Sequence, residues 1–348
     1  MEMFASLTPR QKNILGLVVR TFIETGMPVG SKTLVDNYDL DVSSATVRNE
    51  LSALDEMGYL VQLHTSAGRI PTEQGYRYFV QRLLGEFELP LEDQQTIRHQ
   101  FHQARIELEQ WLRLSAAILA RLSGGAGVVT SPRPQFNRFK HLQLISTRGR
   151  LVLMILVFSG GKVQQEMLTL AEPLPQTRLS MAAEHINQIF GGQDADAIAA
   201  RMRQLDTLET EVMGLVVRIL RQHDARAIHS LYRDGLSNLL DDKGTRLAVR
   251  LLEERTLFGD VVQTVLEPDV SGVQVVIGGE GHWEELKDCT IILSRYGVDE
   301  LSGELGVVGP TRMSYGRNIS AVRYVADIMS GFVDEYYAEH KPASLEDK

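Results

Sequence analysis

The chain has 348 residues, which at roughly 100–200 residues per domain predicts two or three domains. Its 36 basic and 45 acidic side chains leave a net charge of −9, which argues against a protein that coats nucleic acid without regard to sequence. With 43% hydrophobic and 23% charged residues, the composition excludes a largely disordered chain. The start, Met1 to Ser6, shows no basic stretch followed by an apolar one, so no secretory signal is expected. Thr8-Pro9 then opens a helix: Thr can cap, and Pro in the first turn has no hydrogen bond to lose. Ile14, Leu17, Val18 and Phe22 give that helix one apolar face, and Gly26 ends it. A short second helix follows Ser31, with Leu34 and Val35 inward. Ser43 or Ser44 caps a third, over Ser44–Met57 and ending near Gly58.

At 100° per residue the third helix has two faces. Val47, Leu51 and Leu54 cluster on one and must look into a core. Ala45, Arg48, Asn49, Ser52 and Glu56 fall on the other, the first four small or hydrogen-bonding and set toward the helix N-terminus. That is how a recognition helix meets base edges in a major groove, where Arg and Asn can each read a purine bidentately. Next, Tyr59–Leu63 is strand-like, His64–Arg69 is a polar loop suited to a wing tip, and Ile70 resumes a strand. Pro71-Thr72 opens a further helix through Tyr76, Phe79, Val80 and Leu83. Helix, helix, helix, strand, loop, strand is the winged helix-turn-helix order. Residues 1–84 hold eight basic and nine acidic side chains, so any electrostatic footprint on DNA must be local.

After Pro90, the positions Ile97, Phe101, Ala104, Leu108, Trp111, Ser115, Ile118 and Leu122 are spaced alternately by four and three, a seam for helix-on-helix packing. The simpler reading is a helix packed on its own domain; the other is a connector packed against a second subunit. Strands are expected at Gly127–Thr130, Lys140–Thr147, Leu151–Phe158 and Lys162–Leu170, separated by turns and forming an antiparallel meander. Leu151–Phe158, the most apolar run, is far short of the roughly 20 residues that span a bilayer. Helices follow at Leu179–Phe190, Ala195 to about His223, and Thr245–Phe258. Strands return at Gly272–Ile277, Thr290–Ser294 and Leu305–Val308, before a last helix at Ser320–Tyr337. Strands, helices and strands again predict an α+β domain interrupted by an insertion at about 193–243.

Other candidate chemistry is sparse. His99 and His102 could share a metal, but no further ligand stands near them in sequence, which favours solvated helix residues. Gly278-Gly279-Glu280-Gly281 lacks the Lys and Ser/Thr of a phosphate loop and reads as a turn. Cys289, the only cysteine, leads an apolar strand and reads as a buried thiol; one cysteine excludes a disulfide framework and a cysteine-rich zinc site and fits a reducing, cytoplasmic setting. Gly309-Pro310-Thr311 reads as structural, with an effector surface as the alternative.

Several of these stretches resemble the HrcA heat-inducible transcription repressors. They are Pro28–Leu34, Ser43–Glu50, Gly58-Tyr59-Leu60, His64–Thr72, Gly75-Tyr76-Arg77, Gly235–Leu240 and Gly306–Met313. Before the wing histidine this chain has Leu63 where the family commonly has proline. The resemblance implies an α+β multidomain chain: a winged-helix domain over 1–88, a helical connector over 89–125, and a GAF-like domain over 126–192 and 244–348 with an inserted dimerising domain at 193–243. It implies a non-enzymatic repressor of chaperone operons that binds an inverted-repeat operator in double-stranded DNA as a homodimer, loses activity on heat stress, and is kept active by the GroEL chaperonin. No cofactor and no membrane contact are expected. Arg48 and Asn49 are the expected base contacts. Ser43, Ser44 and Thr46 suit the DNA backbone, with wing residues His64, Thr65, Ser66 and Arg69; Lys32, Ala45 and Ser52 complete the surface. The alternative is a repressor or sensor gated by a small molecule in the GAF-like domain.

Overall fold

A computed structural model describes residues 6–64, 67–104, 107–134, 137–159, 163–225, 230–240, 246–266, 272–278, 283, 286–298 and 301–340. The chain forms two compact units. One takes 1–131, 230–297 and 303–348; the other takes 132–229 with 298–302.

The first unit opens with α1 (Pro9–Thr25), α2 (Ser31–Asn37) and α3 (Ser44–Glu56). Local signals set their ends. Thr8 and Gln11 cap α1 reciprocally, each side chain bonding the other's backbone N–H. Gly26 stops α1 in the left-handed region. Ser43 Oγ accepts from Thr46 N–H at the start of α3. At its end Tyr59 N–H bonds Leu54 O and Gly58 N–H bonds Asp55 O, a pairing that sets Gly58 at φ +80°. Strands β1 (Leu60–Gln62) and β2 (Arg69–Pro71) form an antiparallel hairpin, and α4 (Glu73–Tyr78) runs on into a π-helical turn over Phe79–Leu83. Ile14, Leu15, Val18, Val19, Leu34, Val47, Leu51 and Leu54 make the core of this N-terminal part.

The seam from Ile97 to Leu122 is not one helix. It divides into α5 (Leu91–Gln103) and α6 (Leu108–Ser123), because Ala104 adopts an extended conformation at ψ 141°. The packing is intramolecular: Trp111 of α6 stacks on Phe332 at 4.5 Å, and Phe101 of α5 meets the same ring at 5.5 Å. β3 (Ala126–Thr130) follows under α6.

The second unit holds β4 (Arg133–Pro134), β5 (Phe139–Arg148), β6 (Leu151–Phe158), β7 (Val163–Thr169), α7 (Gln176–Phe190), α8 (Ala195–Arg201) and α9 (Thr207–Ala225). The expected meander exists as the sheet β5-β6-β7, but Gly127–Thr130 is not part of it. One face, with Phe139, Leu142, Met154, Leu156 and Phe158, closes on Leu179, Ile186 and Phe190 of α7 and Val216 and Leu220 of α9. The edge of β5 is covered by α7: Asn187 accepts from Leu142 N–H and donates to Leu142 O, while Gln176 does the same for Ser146 N–H and Leu144 O. The long helix expected from Ala195 is broken at Leu205-Asp206.

This unit corrects the expected boundaries. Because the meander, α7 and α9 share one core, the interruption of the first unit runs over 132–229, not 193–243, and of 126–192 only 126–131 belongs to the larger sheet domain.

The chain re-enters the first unit through β8 (Leu231–Asp234), α10 (Leu236–Leu240), α11 (Arg246–Glu253), α12 (Arg255–Val265), β9 (Val273–Ile277), β10 (Cys289–Val298), β11 (Leu301–Pro310) and α13 (Tyr315–His340). The sheet order is β8-β3-β11-β10-β9, so a strand from before the interruption sits between two from after it. The helix expected over Thr245–Phe258 is broken at Glu254, and the last helix starts five residues earlier than expected, at Tyr315. Cys289 is fully buried, as its strand position predicts. Gly278 adopts the left-handed region at φ +67°; the rest of that glycine run, 279–281, lies outside the described residues. No helix among the described residues is long and apolar enough to cross a membrane.

Candidate nucleic-acid interface

The third helix presents the two faces that its spacing predicts. Val47, Leu51 and Leu54 are buried to 1% exposure or less, while Ala45, Arg48 and Asn49 stand in solvent. Its N-terminus is tied down by hydroxyls: Ser43 Oγ lies 3.0 Å from Thr46 Oγ1, and Ser44 Oγ lies 3.1 Å from Ser31 Oγ at the head of α2. Lys32, next to Ser31, is exposed. Among the described residues the side chains of Lys32, Arg48 and Asn49 make no hydrogen bond or ion pair, so their donors are available to a partner.

The hairpin is held against these helices by backbone. Val29, in the link between α1 and α2, exchanges two hydrogen bonds of 2.9 Å with Arg69 of β2. A Cβ on Gly68 would lie 2.5 Å from the Val29 carbonyl carbon, so this approach requires glycine for space. Gly68→Ala is therefore expected to lower the thermal stability of the N-terminal part by about 1–3 kcal/mol, read by its melting transition. His64 is exposed and its carbonyl closes a turn by accepting from Ala67 N–H. Thr65 and Ser66, both candidates, lie outside the described residues.

Arg69 and Ser52 are placed differently from the other candidates. Arg69 Nε donates to Asp55 Oδ2 at 2.9 Å and Nη2 donates to Ser52 Oγ at 3.0 Å. Ser52 Oγ itself donates to Arg48 O at 3.1 Å. Arg69 Nε and Nη2 and the Ser52 hydroxyl are thus engaged within the protein. No local pattern marks Asp55 as part of this site, because its partner stands fourteen positions away, beyond any helical spacing rule. Glu50, on the same helix, faces Arg10 of α1 at 3.6 Å. Glu50 and Asp55 thus each face a cation of their own, while Glu56, the third carboxylate of α3, is exposed two turns beyond Arg48.

Behind the helices, α4 seats this part on the rest of its unit. The Tyr76 and Tyr315 rings meet at 5.7 Å, and Tyr315 Oη donates to Thr311 O at 2.7 Å. Burial raises the pKa of the Tyr76 phenol well above its ordinary value, against a smaller opposing pull from the Arg312 guanidinium, so the hydroxyl stays protonated. Ser320 Oγ donates to Phe87 O, and the Phe87 ring lies against Gly316. Thr311 N–H donates to Asp288 O at 3.0 Å, which gives the Gly309-Pro310-Thr311 step a structural role. His99 and His102 are both exposed, and no group of three potential metal ligands occurs among the described residues.

The comparisons with known proteins agree with the resemblance. The profile described as "HrcA protein C terminal domain" matches residues 109–319. A protein of Roseiflexus castenholzii named "Heat-inducible transcription repressor HrcA" is 43% identical over 349 residues, covering 96% of this chain and 97% of its own length. The chain belongs to the HrcA family. A Herpetosiphon aurantiacus protein of the same name is 41% identical over 353 residues, covering 97% of this chain and 99% of itself. These HrcA relatives extend through the N-terminal helices, which the profile does not reach. HrcA proteins are transcription repressors, not enzymes. A crystal structure of a protein described as hypothetical, at 2.2 Å resolution, superposes with a TM-score of 0.56 at 23% identity, covering 94% of this chain and 98% of that one; it shares the fold.

Proposed function

We propose that this HrcA-family chain is a cytoplasmic, homodimeric repressor of heat-shock (chaperone) operons that reads an inverted-repeat operator in double-stranded DNA. In this reading the N-terminal helices and hairpin act as a winged helix-turn-helix, with α3 in the major groove. The sheet β8-β3-β11-β10-β9 is its GAF-like body, the dimer is lost or inactivated on heat stress, and GroEL maintains the active form. The observation that carries the reading is the exposed Arg48 and Asn49 on a capped helix whose opposite face is fully buried. Lys32, Ser43, Ser44 and Thr46 flank them toward the phosphates, with His64, Thr65 and Ser66 at the wing.

Dimerisation is assigned to the second unit, on the sheet face away from α7 and α9. Its cross-strand rows are His141, Val157, Val163; Gln143, Ile155, Gln165; and Ile145, Leu153, Met167. None of the nine carries a formal charge, and Val163 and Met167 are more than half exposed. An uncharged, mainly apolar face has no complement of opposite charge to seek, and it matches a second copy of itself across a two-fold axis. That two-fold supplies two α3 helices to two half-sites.

Arg48→Ala tests the DNA reading. On a duplex enriched by the wild-type chain from a randomised pool, binding should weaken by about 1–3 kcal/mol and discrimination should relax at one base position. Equal weakening on every duplex would make Arg48 a phosphate contact and remove it from base reading.

A further inference from the structure

Arg69 stands where three pieces of the N-terminal part meet. Its backbone pairs with Val29 between α1 and α2, its strand pairs with Gln62 of β1, and its guanidinium reaches Asp55 and Ser52 of α3. The Arg69 side chain is 12% exposed and that of Asp55 is 30%, so this fork is partly withdrawn from solvent. From Ser52 the chain of hydrogen bonds continues to the backbone of Arg48, one helical turn back and directly behind a proposed base contact.

We infer that Arg69 is a positioning residue for DNA reading: through Asp55 and Ser52 it fixes the angle between the hairpin and α3, and so the aim of Arg48 and Asn49. It does not act as a phosphate contact. The inference rests on the proposed reading of α3 as the base-contacting helix. Physically, a planar fork holding two fixed acceptors on one helix resists rotation of that helix about its axis, which a single point contact would not. Rotation would carry Arg48 and Asn49 sideways off the base edges while leaving the phosphate-facing charges in place.

The two roles predict opposite signs for one variant. A carboxylate beside a polyanion repels it, so if Arg69 served the phosphates, Asp55→Ala would free the guanidinium and tighten binding. If Arg69 positions α3, Asp55→Ala weakens binding. The measurement is the affinity of the full-length chain for the enriched duplex and for a scrambled one, over a series of salt concentrations. For Asp55→Ala and for Arg69→Ala we expect about tenfold weaker binding to the enriched duplex with little change on the scrambled one. The slope of log K against log salt should stay at its wild-type value in both, and the double variant should bind within about twofold of Arg69→Ala. Wild-type or tighter binding by Asp55→Ala overturns the inference, as does a slope reduced by about 0.9 in Arg69→Ala. Should Asp55→Ala fail to fold by its melting curve, Ser52→Ala keeps the ion pair and removes one link; about threefold weaker binding at unchanged slope supports the inference, and unchanged binding overturns it. A wild-type chain that enriches no sequence overturns the reading of α3 and this inference with it. Enrichment together with wild-type binding by Asp55→Ala overturns this inference alone.

Discussion

Excising 132–229 and joining Ser131 to Ser230 through a two-residue Asn-Gly turn should give a folded monomer that has lost tight operator binding. The chain leaves the first unit along β3 and returns along β8, and these strands are antiparallel neighbours. Thr130 pairs with Leu231, and Ser131 N–H donates to Ser230 O at 3.1 Å. The excised ends therefore already form the mouth of a hairpin. The removed segment takes its own core with it, since the residues packed between the meander and α7 and α9 all lie in 139–220. Removing 193–243 instead would strip β8 from the sheet, along with Asn238, whose Nδ2 donates to Gly125 O. That deletion should not fold. With the sheet face gone, each half-site is bound alone, and the loss of linked binding is worth about 100- to 10,000-fold in affinity. Sedimentation velocity reads the oligomeric state and gel shift reads the affinity. Ile155→Arg, at the centre of the uncharged face, should give the same monomer without any deletion, because an isologous interface buries the new charge twice. An excised chain that remains dimeric would place the interface elsewhere.

Elements whose limits are set by neighbours in sequence were legible, and those set by distant partners were not. Thr8-Pro9, Ser43, Gly26 and Gly58 fix the ends of α1 and α3 within a few residues of chain, and the buried face of α3 follows from its own spacing. The alternating pattern of Leu151–Phe158 identifies a strand, but no pattern tells which sheet receives it. Gly127–Thr130 looks like the first strand of a meander, yet its partners are Leu305–Val308 and Leu231–Asp234, more than a hundred residues later. No local signal therefore marks where the interruption of the first unit begins. The break between α5 and α6 was hidden because the four-three spacing runs unbroken through Ala104. Of the candidate site, the exposed Arg48 and Asn49 follow from helical geometry alone. The role of Arg69 depends on Asp55, which only the fold brings within reach.

Gly75→Ala should abolish operator binding while leaving the dimer intact. The α4 helix crosses the start of β1 so closely that a Cβ on Gly75 would lie 2.2 Å from Tyr59 O and 3.2 Å from its carbonyl carbon. That oxygen is not free to retreat, because it accepts from Thr72 N–H at 3.1 Å, and Thr72 Oγ1 is bound to Gly58 O at 2.6 Å. Tyr59 itself is fully buried and meets Tyr78 edge-on at 5.3 Å. The methyl therefore collides with the Tyr59 backbone, with Pro71 Cβ at 3.7 Å, and relief requires α4 to lift away. Overpacking of this kind costs about 3 kcal/mol, a large share of what a small domain has to spare. Lifting α4 also disturbs β2 and α1, on which it packs, and α1 in turn seats α3, so the exposed face of α3 loses its support even where its helix persists. The dimer face lies in the other compact unit, with a core of its own, and should not register the change. Sedimentation velocity should report a dimer, calorimetry should show the N-terminal transition moved down in temperature, and gel shift should show no specific complex. A Gly75→Ala chain that binds the enriched duplex with wild-type affinity would mean that the seat of α4 does not govern the recognition helix.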